Sequence, residues 1–272
     1  MPELPEVETT RRGIEPHVLG KTVRGVVVRD RRLRWPVPEA LARELPGLRI
    51  DAVTRRAKYL LLRTPRGHVL VHLGMSGSLR VVPASSQPAP HDHVDLVFDD
   101  GVALRLRDPR RFGCVLWLTD DPARSKLLCA LGPEPLSDAF DGAALYQRAR
   151  TRAAPIKHVI MDAHVVVGVG NIYASESLHR AGIHPLRSAK RIARARFDAL
   201  ADAVKVVLRA AIEAGGTTLR DFAGSDGEPG YFAQELQVYE RAGEPCRRCG
   251  ATIRSTRSGQ RSTYWCPRCQ KS

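Results

Sequence analysis

The chain has 272 residues, 43% hydrophobic and 26% charged, which excludes an intrinsically disordered polypeptide and allows two or three domains with real cores. Lys and Arg number 43 against 29 Asp and Glu, a formal charge of +14, and such a surplus points to a polyanion partner, most often nucleic acid. No apolar run reaches about 18 residues, so no membrane span is expected.

The chain opens Met1-Pro2-Glu3-Leu4-Pro5-Glu6-Val7-Glu8. No basic stretch followed by an apolar one is present here, so it does not read as a secretory signal. Pro5 is placed to open a helix, predicted to run over Val7 to Gly13 and to stop at the glycine. One reading of this stretch is an ordinary acidic first turn. The other is chemical. Proline at position 2 favours removal of the initiator Met, which leaves a free secondary amine on Pro2. An amine beside a carboxylate such as Glu3, with Glu6 close by, is what imine chemistry on a sugar aldehyde carbon requires.

Eight β-type segments follow: Thr22–Arg29, Leu48–Arg55, Tyr59–Arg63, His68–Leu73, Leu79–Val82, Val94–Phe98, Val102–Arg107 and Gly113–Leu118. Asp99-Asp100-Gly101 is a hairpin signal between the sixth and seventh. Short strands with frequent turns predict an antiparallel sandwich or barrel. Lys58 falls between the second and third segments, either as a solvated loop lysine or as a projecting group. Met75 lies in the Gly-bounded turn Gly74-Met75-Ser76-Gly77, as core filler or as an exposed tip. His91-Asp92-His93 looks like a metal cluster, but with no third ligand a hydrogen-bonded structural role is the better reading. Asp108-Pro109-Arg110-Arg111-Phe112-Gly113 puts two guanidinium groups beside one ring. That suits a DNA-intercalating wedge, or a β-turn with a core Phe.

Near Leu131-Gly132-Pro133-Glu134-Pro135 the composition shifts and helical patterns begin. Helices are predicted over Asp141–Thr151, Pro155–Asp162, Asn171–Ala181 and Ile192–Ala214, the last closed by Gly215-Gly216. Gly168-Val169-Gly170-Asn171 would bring backbone N–H groups to an anion at a helix start, but it lacks the spacing of a dinucleotide fingerprint. Lys157 is either a helix-surface lysine or a phosphate clamp. The polar, Gly-rich segment 217–239 suits a mobile loop or a passive linker.

The tail carries Cys246-x-x-Cys249 and, after sixteen intervening residues, Cys266-x-x-Cys269. This spacing fits one tetrahedral Zn2+, and four thiolates leave no open position, so the metal is structural. A β-hairpin is predicted between the pairs, over Ala251–Thr263, with its turn at Ser258-Gly259-Gln260-Arg261. Residues 241–272 hold eight Arg or Lys and one Glu, which suits duplex DNA, although zinc ribbons also occur in RNA and protein binders and the module does not by itself identify the partner.

Together these pieces resemble the bacterial formamidopyrimidine-DNA glycosylases, across essentially the whole chain. The resemblance runs through residues 2–8, Arg55-Arg56-Ala57-Lys58, His72-Leu73-Gly74-Met75-Ser76-Gly77, Asp108 to Gly113, Val169 to Glu176, Pro229 to Leu236 and the four cysteines. It implies an α+β multidomain fold: an N-terminal helix and antiparallel β-sandwich over 1–131, a helix–two-turn–helix domain over 132–240 with a lesion-capping loop at 217–239, and a zinc finger over 241–272. DNA would lie in the cleft between them.

The implied activity is bifunctional: a glycosylase and abasic-site lyase removing 8-oxoguanine and formamidopyrimidines from double-stranded DNA, with one structural Zn2+. Pro2 would attack C1′, and an imine would form and decay by β- then δ-elimination. Glu3 would be the general acid and base. Glu6 matches a supporting acidic position and is grouped with the DNA-binding residues. Lys58 would reach the lesion, and Lys157, Asn171 and Arg261 would contact phosphates, with Arg261 counted among the catalytic groups. Met75, Arg110 and Phe112 would fill the vacated base stack. His91 is placed among the DNA-binding positions. A monomer acting on the nucleoid in the cytoplasm is expected. Two rivals differ in function: an endonuclease VIII-like enzyme for oxidised pyrimidines, disfavoured by Leu4, Glu8 and Phe112, and a non-catalytic DNA-binding relative, disfavoured by the intact Pro2, Glu3 and Lys58.

Overall fold

The computed structural model describes residues 2–217 and 235–271, so most of the segment expected to cap the lesion lies outside the described residues. The described chain divides into two compact units, residues 2–129 with 214–217, and residues 130–213 with 235–271.

The first unit opens with helix α1 (Leu4–Val18). Leu4, Val7, Ile14 and Val18 recur on one helical face and are all buried. That stripe explains why the helix passes Gly13, where the sequence pattern suggested a stop. Eight strands follow: β1 (Val23–Val28), β2 (Ala52–Arg56), β3 (Tyr59–Thr64), β4 (Gly67–His72), β5 (Ser78–Pro83), β6 (Asp92–Phe98), β7 (Val102–Arg107) and β8 (Cys114–Leu118). They form two antiparallel four-stranded sheets, ordered β1-β6-β7-β5 and β2-β3-β4-β8. Val7, Ile14 and Val18 of α1 join Leu60, Val71, Leu96 and Leu104 of the two sheets in one core. Helix α2 (Glu39–Glu44) has no counterpart among the sequence expectations; it is six residues long and buries a single side chain, Leu41, too little for a periodic signal. Strand β2 begins later than expected because Leu48 and Ile50 bond instead to the chain around Lys21 and Val23.

The second unit holds α3 (Gly142–Ala149), α4 (Ile156–Met161), α5 (Asn171–Ala181) and α6 (Arg194–Glu213), with the hairpin β9 (Arg254–Ser258) and β10 (Arg261–Trp265). Helix α5 is buried from Ile172 to Leu178, and it closes on Gly182 in the left-handed region at φ 68°. The cysteine-rich tail packs on the same unit. Gln270 donates to Ile183 O at 2.9 Å, and Glu176 of α5 accepts from the backbone of 237–239. No helix among the described residues is long and apolar enough to cross a membrane.

Candidate active site and nucleic-acid interface

Pro2 and Glu3 are buried at the start of α1. Glu3 N–H donates to Glu6 Oε2 at 2.8 Å, half of a reciprocal capping box that satisfies donors orphaned at a helix start. Thr217 N–H donates to Glu6 Oε1 at 2.9 Å. Both Glu6 oxygens are therefore engaged with backbone, and the side chain is 2% exposed. The close approach needs Gly216, whose φ is 85° and whose missing Cβ would stand 3.3 Å from Glu6 Oε1. The consequence is a fixed backbone at Pro2 and Glu3, set by packing and capping rather than by a mobile tail.

Lys58 lies at the tip of the β2–β3 hairpin, where Arg56 pairs with Tyr59 and only Ala57 and Lys58 form the loop. Next to it is His72, which opens the 72–77 motif but to which the sequence reading assigns no role, since a lone histidine ending a strand carries no chemical signal. Burial, with the charges of Lys58 and Arg34, lowers the His72 imidazole to about 4. Gly74 N–H donates to His72 Nδ1 at 3.0 Å, which leaves the ring proton of the neutral form on Nε2. The Tyr59 and His72 rings lie 4.9 Å apart.

The turns carrying Met75 and Phe112 abut. A Cβ on Gly74 would meet Gly113 N at 2.4 Å and Phe112 C at 2.5 Å, so the two backbones can touch only because position 74 is glycine. Asp108 is fully buried, and its Oδ2 accepts from Gly113 N–H at 2.8 Å, closing the loop that holds Arg110 and Phe112. His93 Nε2–H donates to Asp108 O at 2.9 Å, and Asp92 pairs with Arg80 at 3.2 Å. His93 and Asp92 are thus hydrogen-bonded structural groups, as expected for that trio, whereas His91 is exposed with φ 74°. Phe112 is 43% exposed, a large ring left in water, and the Arg110 guanidinium stands 5.0 Å over it. Arg111 turns away to Asp30 at 2.7 Å. Exposed ring, flanking cation and partly exposed Met75 give the apolar blade with a charged edge that intercalation needs.

In the second unit, Lys157 is 1% exposed, and its ammonium donates to Ser262 O and Thr263 Oγ1, both at 2.9 Å. Its neighbour His158 is hydrogen-bonded through Nε2 to Ser258 Oγ at 3.0 Å. Between these two grips the turn Gly259-Gln260 carries exposed Arg261, with Gly259 at φ 61° as a two-residue hairpin loop demands. Asn171 is the first residue of α5, at its positive end. Glu176, which closes the 169–176 motif but is given no role by the sequence reading, is buried. Burial raises its carboxyl, and three backbone N–H donors from Gln237, Val238 and Tyr239 act against that rise.

The four cysteine sulfurs lie within 4.8 Å of one another. Cys246 and Cys269 Sγ are 4.0 Å apart, and Cys249 and Cys266 Sγ 3.4 Å. Around zinc, with bonds of about 2.3 Å, tetrahedral thiolates stand about 3.8 Å from each other, so this quartet fits the ion. Its closed sulfur shell makes the Zn2+ structural. His179 Nε2 lies 3.6 Å from Cys246 Sγ, an outer partner for one ligand. Val238, Ile253 and the two buried cysteines form a small apolar core, and the metal replaces the rest.

Residues 1–115 match the formamidopyrimidine-DNA glycosylase N-terminal domain, 131–223 the formamidopyrimidine-DNA glycosylase H2TH domain, and 243–271 the zinc finger found in FPG and IleRS. The formamidopyrimidine-DNA glycosylase of Syntrophotalea carbinolica is 60% identical over 271 residues, covering 100% of both chains. The MutM (Fpg) protein of Thermus thermophilus superposes with a TM-score of 0.89 at 40% identity, covering 99% of this chain and 98% of that one. A Lactococcus lactis Fpg mutant in complex with Fapy-dG containing DNA superposes with a TM-score of 0.92 at 32% identity, over 100% of both chains. The three domain matches in order, and identity of this level over the full length, show that the chain belongs to the formamidopyrimidine-DNA glycosylase family.

Proposed function

We infer that the chain is a base-excision-repair glycosylase and abasic-site lyase that removes oxidised purines from duplex DNA. The observation that carries this is the capped, buried Pro2-Glu3 start within a chain 60% identical to a named formamidopyrimidine-DNA glycosylase. With Met1 removed, the Pro2 nitrogen attacks C1′ of the damaged nucleotide and the C1′–base bond breaks. Glu3 handles the proton exchanged at the sugar. The ring opens to a C1′ imine on Pro2, loss of a C2′ proton expels the 3′ phosphate, and a second elimination expels the 5′ phosphate.

Lys58 is the cation that reaches the lesion nucleotide, with neutral His72 beside it as a hydrogen-bond donor. Met75, Arg110 and Phe112 occupy the stack that the extruded base leaves and offset an extrusion cost of a few kcal/mol. Arg261 and Asn171 contact phosphates, and His91 faces the duplex. Glu6 and Lys157 act from beneath the surface: Glu6 fixes the Glu3 backbone, and Lys157 fixes the hairpin that bears Arg261. The 217–239 segment would cover the extruded purine. One chain carries every residue this reading needs, so the working unit is a monomer, and such a substrate means chromosomal DNA in the cytoplasm.

The test is side-by-side excision of 8-oxoguanine and an oxidised pyrimidine from otherwise identical duplexes. Purine release faster by at least about tenfold, or 1.4 kcal/mol in barrier, supports the reading. Equal or reversed rates would move the chain to the pyrimidine-directed class.

A further inference from the structure

The loop that presents Lys58 is strained. A two-residue hairpin loop uses positive φ to match the twist of its strands, and Asn or Gly normally supplies it. Here the first loop residue is Ala57, at φ 54°. A non-glycine residue is disfavoured in the left-handed region, where its Cβ crowds the backbone, so this loop needs an external hold.

That hold comes from α1. Arg55 donates through Nη1 to Ala57 O at 2.9 Å and through Nε to Glu8 Oε2 at 3.0 Å. Glu8 Oε1 in turn accepts from Arg11 and Arg12, each at 3.1 Å, and Arg11 also donates to Glu15 at 2.7 Å and to Val53 O at 3.3 Å. The Arg55 and Glu8 side chains are 11% and 14% exposed, so this pair is largely withdrawn from water. Such a pair adds little net stability, but its fork geometry fixes what it touches. The helix that opens with Pro2 and Glu3 therefore also fixes the turn bearing Lys58.

We propose that Glu8 and Arg55 are positioning residues that hold Ala57 in its left-handed conformation, so that Lys58 meets the lesion as a pre-set group. This rests on the role given to Lys58 above. In this arrangement Glu8 and Arg55 act on Lys58 through the Ala57 carbonyl.

The experiment is single-turnover release of 8-oxoguanine from a duplex by the zinc-loaded full chain, with zinc content and thermal unfolding measured in parallel. Arg55→Ala and Arg55→Lys are expected to slow base release about tenfold, since small misplacements of catalytic groups carry costs of this order. Combining Arg55→Ala with Lys58→Ala should add nothing to the loss from Lys58→Ala alone. Adding Ala57→Gly to Arg55→Ala should recover at least about threefold, because glycine adopts positive φ without strain. A purely electrostatic role for Arg55 would not be rescued in that way. Wild-type rates in folded Arg55→Ala, or no recovery with Ala57→Gly, overturn the proposal. If Arg55→Ala fails to fold, Arg55→Lys alone and with Ala57→Gly decides by the same criteria. A wild-type rate for Lys58→Ala would instead refute the function given to that lysine and, with it, this inference.

Discussion

The ammonium of Lys157 is bonded to the hydroxyl of Thr263 at 2.9 Å, a helix lysine and a hairpin threonine that are both buried. The basic hairpin is thus seated on α4 by a charge that never reaches solvent. Lys157→Met keeps the aliphatic stem and leaves Ser262 O and Thr263 Oγ1 without that donor. A loss of about 1–3 kcal/mol is expected, the cost of buried polar groups losing a charged partner. Thermal unfolding of the zinc-loaded chain checks this. The slope of log affinity against log salt should also fall by about one if Arg261 loses its phosphate.

Zinc removal acts on the same region. Cys249→Ser leaves three thiolates, and bound zinc should drop from one per chain to near zero, read by metal analysis. Affinity for lesion duplex should fall with it. Undiminished binding by the metal-free variant would contradict a role for the finger in DNA contact.

Gly74→Ala tests the apposed wedge turns. The added methyl would stand 2.4 Å from Gly113 N, at a position with φ 64°. Separation of the Met75 and Phe112 turns is expected to weaken lesion binding more than Met75→Ala does, although Gly74 bears no side chain that could touch DNA. Equal losses in the two variants, by titration with a lesion duplex, would mean that the turns act independently.

His72 gives the acid side of the stability profile. Burial, with Lys58 and Arg34, lowers its imidazole from 6.5 to about 4 in the folded chain. Between pH 4 and 6.5 the unfolded chain binds more protons at this site, so stability rises with pH across that window and is complete above it. The contribution is on the order of 3 kcal/mol. His72→Gln should flatten the profile from pH 4 to 6.5, measured by urea unfolding, and leave the slope above pH 7 unchanged.

Much of this was legible in the sequence, for identifiable reasons. The eight strands of the first unit alternate or carry β-branched runs bounded by turn residues, and the four cysteines have only one economical use. Helix α1 ran past its expected end because the burial of Ile14 and Val18 outweighs the cost of Gly13. The site's second tier was not legible. The bond from Arg55 to Glu8 joins residues 47 apart, and the ammonium of Lys157 reaches a hairpin 105 residues away. Nothing in local pattern or composition records which buried charges meet across a core. The low pKa of His72 likewise comes from neighbours assembled by folding.

The proposed function stands on the Pro2 nitrogen as the site of the covalent intermediate. Hydride reduction during turnover on an 8-oxoguanine duplex, followed by proteolysis and mass spectrometry, places the adduct directly. A sugar remnant is expected on the N-terminal proline of a chain lacking Met1. A remnant on Lys58 or another internal lysine would contradict it.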